Sequence, residues 1–204
     1  MNPKLQESSA HPAVRIDAGD YLIRTLTAAD ASERWAAWMA DAEIANLLNA
    51  PPRHMSKEEI TSYIKTFDQR VNLLLGIFEK RTESHIGFFT VNADYDRSQG
   101  IVNLLIGEAG HRNRGVLSMV RRYFAEYFFE TLGLKTMMAT ALAHNQVIIN
   151  TLIKGGWKVD KVLKQHLTSH ADASQLDLCL MSLSRDVWRA RNKVAADKLT
   201  GGAR

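Results

Sequence analysis

The spacing of apolar residues changes at residue 72, and that change limits what the chain can fold into. Before it, "SKEEITSYIKTFDQRV" (56–71) sets Ile60, Tyr63, Ile64, Phe67 and Val71 at helical spacing behind a Ser56-to-Glu59 capping box, which predicts a helix. After it, "NLLLGIFEK" (72–80), "HIGFFTVNA" (85–93) and "GIVNLLIG" (100–107) follow a period of two. The links "RTES" and "DYDRSQ" are too short for crossovers, so the three strands form an antiparallel meander. Such a meander needs helices to cover it, and helical segments stand on both sides of it in the chain.

"DYLIRTLT" (20–27) reads as a first strand, followed by a helix capped by Thr27, with Asp30 three residues on. Its buried side holds Ala31, Trp35, Trp38 and Met39, the tryptophans as core. "DAEIANLL" (41–48) extends the helical region until the prolines of "NAPPRHM" break it. From residue 115 a long amphipathic helix turns Val116, Val120, Tyr123, Phe124 and Tyr127 inward and Arg121, Arg122, Glu126 and Glu130 mostly outward, ending near Gly133. Then come a strand (135–143), a short helix (145–154) closed by Gly155 and Gly156, a hairpin from residues 156–169 and 174–184, and a polar helix from residue 185. The order predicts an α/β (α+β) single domain, a mixed, mostly antiparallel sheet flanked by helices. It divides as a flexible arm (1–19), the domain (20–188) and a polar basic tail (189–204).

With 46% hydrophobic and 24% charged residues the composition is that of a soluble globular protein. There is no apolar run of about 18 residues, so no membrane span is expected. The net charge of +4 points away from nucleic acid once it is located. From Ser184 onward six Lys/Arg face two Asp, and the rest of the chain is neutral. The lone Cys179, in the apolar run "LCLM", reads as a buried small hydrophobe and fits a reducing cytoplasm. His and Cys show no metal-ligand spacing, so no metal is expected.

The stretch most shaped for chemistry is "IGEAGHRNRGVLSMVRRYFAEYFF" (106–129), a strand end, a basic turn and a helix. The first amides of a helix have no partners within it and attract anions. Gly115 lets a backbone approach an anion with no Cβ in the way, while Arg112 and Arg114 flank it. A solvated connection is the commoner role for such a turn.

The segment Arg112-Asn113-Arg114-Gly115-Val116-Leu117 resembles the Q/R-x-x-G-x-G/A signature of the GNAT superfamily of N-acetyltransferases. "NQVIINTLIKGGW" (145–157) is similar to a second motif of that superfamily, in the branch of RimJ/RimL-type ribosomal-protein acetyltransferases and spermidine acetyltransferases. The likeness spans about residues 20–188. It implies an acetyl-CoA-dependent N-acetyltransferase in which the amine attacks directly in a ternary complex. The amides and side chains of Arg112, Asn113, Arg114, Gly115, Val116, Leu117 and Ser118 would take the pyrophosphate. Backbone groups of Leu105, Ile106 and Gly107 would pair with the pantetheine arm, an amide near Leu105 or Ile106 would hold the oxyanion, Asn145 would bond to the cofactor, and Lys154 would reach a nucleotide phosphate. The acceptor would be a small-molecule amine or a protein N-terminus, bound by the loops "LLNAPPRHM" and "QHLTSHADASQ"; homodimers are common in that branch.

The sequence departs from the pattern at four positions. Leu117 replaces Gly or Ala, Ile148 replaces Ser or Ala, Leu152 stands where Tyr is frequent, and Ile101 stands where a Glu base is common. Asn103 can order a water but cannot take up a proton at neutral pH. Asp94, Asp96, Glu108, His111 and His54 are the remaining candidate bases. These departures keep open a catalytically impaired acyl-CoA binding module as the alternative.

Overall fold

The computed structural model describes the backbone of residues 13–200 and the side chains of residues 13–193. Eight strands form one sheet in the order β1-β2-β3-β4-β5-β6-β8-β7. They are β1 (Arg15–Ala18), β2 (Tyr21–Thr25), β3 (Asn72–Glu79), β4 (Ser84–Asp94), β5 (Gln99–Ile106), β6 (Thr136–Leu142), β7 (Lys158–Thr168) and β8 (Gln175–Ser184). Every neighbouring pair is antiparallel except β5 and β6. The meander predicted from the alternating segments is present as β3, β4 and β5.

The helices are α1 (Glu33–Ala40), α2 (Ala42–Leu48), α3 (Lys57–Ile64), α4 (Val116–Glu126, continued by a π-helical turn Tyr127–Thr131), α5 (Gln146–Lys154) and α6 (Arg185–Thr200). They cover both faces of the sheet. On one face Val116, Val120 and Phe124 of α4 and Ile149 and Leu152 of α5 join Leu73, Leu75, Phe89 and Val91 in one core. On the other, Trp35, Trp38, Ile44, Ile60 and Ile64 of α1, α2 and α3 pack on Leu74, Phe78 and Leu105. With both faces covered, β3 is buried from Leu73 to Phe78, so its sequence is a continuous apolar run. No helix among the described residues is long and apolar enough to cross a membrane.

Three boundaries differ from the sequence reading. Within the arm assigned to residues 1–19, Arg15–Ala18 forms β1, with Arg15 opposite Arg24 and Ala18 opposite Tyr21 across a turn at left-handed Gly19. Val14, Ile16 and Ala18 pack on the first core, which outweighs the polar character of the surrounding chain; residues 1–12 lie outside the described residues. The Thr27 cap starts only the 3-10 turn Ala28–Asp30, because Asp30 is drawn into bonds with the Thr27 amide and the Arg24 guanidinium. The α-helix restarts behind a second cap, Ser32. Finally, the segment predicted helical over 56–71 ends at Ile64, and Asp68 accepts the amides of Arg70, Val71 and Asn72 in the loop that follows.

The basic tail assigned to residues 189–204 is not separate from the domain over the part described. It belongs to α6, where Arg189 pairs with Glu130 at 2.7 Å and Arg191 donates to the Lys154 carbonyl at 2.8 Å. Residues 201–204 lie outside the described residues.

Candidate functional site

The two parallel strands are joined over a short distance only. Gln99, Gly100 and Ile101 pair with Thr136, Met137 and Met138, and beyond them β5 and β6 run on to Ile106 and Leu142 without pairing. The unpaired strand edges form a fork, and α4 begins just past the end of β5. Open sheets bind ligands in such crevices at the carboxyl ends of parallel strands. Here a groove of about 1680 Å³ runs through the fork, past the start of α4 and along α5.

The start of α4 is built to leave its amides free. Gly115 is the N-cap residue, with left-handed φ of +78°, and no side chain caps the helix. The first backbone bond there is Met119 N–H to Gly115 C=O at 3.1 Å. Val116, Leu117 and Ser118 therefore keep the orphan donors of a helix N-terminus, whose partial positive charge favours an anion. A Cβ placed on Gly115 would meet nothing within 4 Å, and Gly115, Val116, Leu117 and Ser118 all line the groove. Leu117 lies half-buried on the groove wall and leaves the groove open there.

The fork edge of β5 differs from the sequence expectation. Gly107 N–H donates to Ile86 C=O at 2.9 Å, so its backbone is engaged with β4. Antiparallel pairs alternate in direction, so Leu105 and Asn103 also turn their backbone groups toward β4. Leu104 and Ile106 turn theirs toward the fork. Of Leu105, Ile106 and Gly107, only Ile106 offers a free backbone group to the groove, its N–H, since its carbonyl accepts from Arg112 Nε, and Leu104 is the residue the sequence reading missed. Gly107 does not line the groove, and the indole of Trp38 packs against it where a Cβ would stand.

Arg112 also departs from its expected role. Its guanidinium pairs with Asp41 at 2.6 Å and Glu43 at 2.7 Å, and donates to the Gly107 carbonyl at 2.6 Å and the Ile106 carbonyl at 3.3 Å. The Arg112 guanidinium beside Asp41 holds its carboxyl below the usual range. The side chain is a strut from the start of α2 to the end of β5, already satisfied by the protein. Asn113 lines the groove, whereas Arg114 is exposed and off it.

Asn145 is the N-cap of α5, its side-chain oxygen accepting from Ile148 N–H at 3.3 Å. Its amide nitrogen has no partner among the described residues, and the residue lies on the groove wall. Ile148 also lines the groove, while Leu152 is buried in the first core. Lys154 is exposed at the far end of α5. Asn103 lines the groove, tethered to Thr90 Oγ1 at 3.2 Å, and Ile101 does not. Of the candidate bases Asp94, Asp96, Glu108, His111 and His54, His111 alone lines the groove, with its Nε2 3.4 Å from Glu79.

Three further contributors were unexpected. Arg121, read as outward, leans into the groove wall, its guanidinium donating to the Thr151 carbonyl at 3.3 Å and lying against Gly155. Burial pushes its pKa down, with Arg191 nearby adding to the effect. Trp188 and Arg191 of α6 also line the groove. The loops predicted to bind an acceptor do meet. Asn49, left-handed at the end of α2, donates to the Thr168 carbonyl at 3.0 Å and accepts from His170 N–H at 3.1 Å.

Comparison with known proteins agrees with this architecture. A family model described as acetyltransferase (GNAT) domain matches residues 21–158. No curated protein sequence matches the chain. Among solved structures, a GNAT-family acetyltransferase from Bacillus anthracis superposes with a TM-score of 0.71 at 14% identity, over 85% of this chain and 99% of that one. The ribosomal-protein-S5-alanine acetyltransferase from Vibrio fischeri gives 0.73 at 16%, over 86% and 98%. The spermidine N-acetyltransferase from Vibrio cholerae, solved in complex with CoA and spermine, gives 0.74 at 14%, over 83% and 98%. At these identities the superpositions speak for the fold, and the family match covers most of the chain. The groove at a strand fork, the uncapped helix start and that match together make the chain a member of the acetyltransferase (GNAT) domain family.

Proposed function

We propose that the chain is an acetyl-CoA-dependent N-acetyltransferase of the RimJ/RimL-like branch, transferring acetyl to a primary amine of a small molecule or a protein N-terminus by direct attack in a ternary complex. The observation that carries this reading is the uncapped, glycine-opened start of α4 at the mouth of a groove that leads into the β5–β6 fork. A diphosphate fits there because Val116, Leu117 and Ser118 carry the orphan N–H groups of a helix start and line the groove. The CoA present in the Vibrio cholerae structure of the same fold supports the same ligand here.

In this reading the fork edges of Leu104 and Ile106 hold the pantetheine arm as an added strand would be held. The Ile106 N–H polarises the acyl carbonyl and stabilises charge developing on its oxygen. Asn145 donates its amide hydrogens to the cofactor while its oxygen keeps capping α5. Arg112 acts at one remove, fixing α2 against the strand end. Bound acetyl-CoA supplies a thioester whose leaving group is a stable thiolate, so the chain need provide little acid catalysis. The groove wall carries one carboxylate among the described residues, Glu43, already engaged by Arg112. Asn103 is placed to order water near the amine, and catalysis rests mainly on proximity and a neutral nucleophile.

Calorimetry with acetyl-CoA, followed by thiol release against a panel of amines, tests the proposal. Binding with amine-dependent release is the expected result. Absence of binding removes the cofactor site, and binding without release by any amine removes the transferase.

A further inference from the structure

We propose that the acceptor is a small monoamine with an apolar body, and that the site discriminates against polyamines. This rests on the N-acetyltransferase reading above. The groove does not end at the fork. It continues between α2 and the β7–β8 hairpin, where Leu47 and Leu48 of α2, Val147 and Ile148 of α5, Leu167 of β7 and Leu178 of β8 converge. Leu47, Leu48 and Val147 are 43%, 49% and 68% exposed. Large side chains left open on two elements, α2 and α5, with the half-buried Ile148, Leu167 and Leu178 lining the same groove, form an apolar surface. The Asn49 bonds to Thr168 and His170 fix two of these walls relative to each other, so the surface is a formed site.

The charges of the groove point the same way. Of its cations, Arg112 is taken up by Asp41 and Glu43, while Arg121, Arg122, Lys154 and Arg191 suit the phosphates of the cofactor; among the described residues its single carboxylate is Glu43, bonded to Arg112 at 2.7 Å. A diamine or polyamine in the apolar end would carry a second ammonium there with no carboxylate to pair it. A desolvated, unpaired charge is strongly disfavoured. For the amine that reacts, at the fork end of the same groove, apolar neighbours such as Ile148 are an advantage. An apolar environment favours the neutral form of an amine, and the neutral form is the nucleophile. The apolar end thus makes up for a wall that lacks a free carboxylate base.

The test compares amines of equal length on the full chain, by steady-state thiol release from acetyl-CoA, with kcat/KM expressed per free amine. Hexylamine should exceed 1,6-diaminohexane and spermidine by tenfold or more. From ethylamine to hexylamine kcat/KM should climb by up to about fourfold per methylene while the chain is still being buried. Leu48→Glu, at an exposed position, should narrow the hexylamine-to-diamine ratio with the Kd for acetyl-CoA unchanged. Equal or better turnover of diaminohexane or spermidine would overturn the acceptor inference and leave the transferase intact. A ratio untouched by Leu48→Glu would also overturn it, by removing the apolar wall as its cause. Acetyl-CoA binding with no release by any amine would overturn both.

Discussion

Asn145 caps α5 with its side-chain oxygen through the Ile148 amide and lies on the groove wall, and in the proposed reading its NH2 group donates to the cofactor. Two substitutions separate these roles. Asn145→Asp keeps an oxygen for the cap and removes the donor, so acetyl-CoA affinity should fall about tenfold, the loss of roughly 1.4 kcal/mol from one hydrogen bond, with stability nearly unchanged. Asn145→Ala should lose similar affinity and about 1 kcal/mol of stability as the cap disappears. Titration calorimetry and urea melts of both variants measure this, and wild-type affinity in Asn145→Asp would count against the assigned donor. The sequence motif put Asn145 and Gly115 where the structure has a helix cap and a left-handed turn on the groove wall, because those features are local. It could not show that the Arg112 side chain is held by Asp41 and Glu43, because these partners are supplied by a helix distant in the chain. A motif records which residue stands in a turn and carries no information on what a remote element brings to it.

At the scale of elements, the glycines between β5 and α4 have different physical reasons. Gly115 needs its left-handed backbone, whereas Gly107 needs the absence of a side chain because Trp38 of α1 occupies that space. Gly110 has neither constraint, with nothing within 4 Å of a built Cβ. Gly107→Ala should therefore destabilise the protein by about 1–3 kcal/mol through overpacking, with a shift in tryptophan emission, and Gly110→Ala should be close to neutral. Equal urea midpoints for the two variants would contradict the packing of α1 on the strand end. Elements with strong internal period were readable in the sequence, β3 to β5 and α4 above all. Residues 15–18 were not, because four residues of alternation give a weak signal and pairing with β2 supplies the rest. The fork was not readable either. It depends on where β5 and β6 cease to pair, which is decided by how the layers pack and not by either strand alone.

Over the described residues the molecule is a sheet with helices on both faces and a groove through the parallel β5–β6 junction, and its stability is tied to a group outside that groove. His85 lies among Trp35, Trp38 and Phe78, with Nε2 2.9 Å from the Gly87 carbonyl and Nδ1 buried without a partner. Burial pushes its pKa from 6.5 down to about 4. Between those values the unfolded chain takes up a proton that the folded chain refuses. Stability present above pH 6.5 is therefore lost as pH falls toward 4, by an amount on the order of 3 kcal/mol. The urea midpoint should drop between pH 7.5 and 5, and His85→Phe should flatten that drop; an identical pH dependence in the variant would exclude His85 as its source. The overall fold class and the order of strands from β2 onward followed from the sequence. The contribution of α6 to the groove did not, since a polar, basic helix gives no apolar stripe by which to place it. The central claim is that free main-chain amides at the start of α4 hold the diphosphate of CoA. An amide NMR titration of the ¹⁵N-labelled chain with CoA tests it most directly: the account predicts that the largest shifts, moving downfield, fall on Gly115, Val116, Leu117 and Ser118. Saturable binding that leaves those four resonances in place would contradict it.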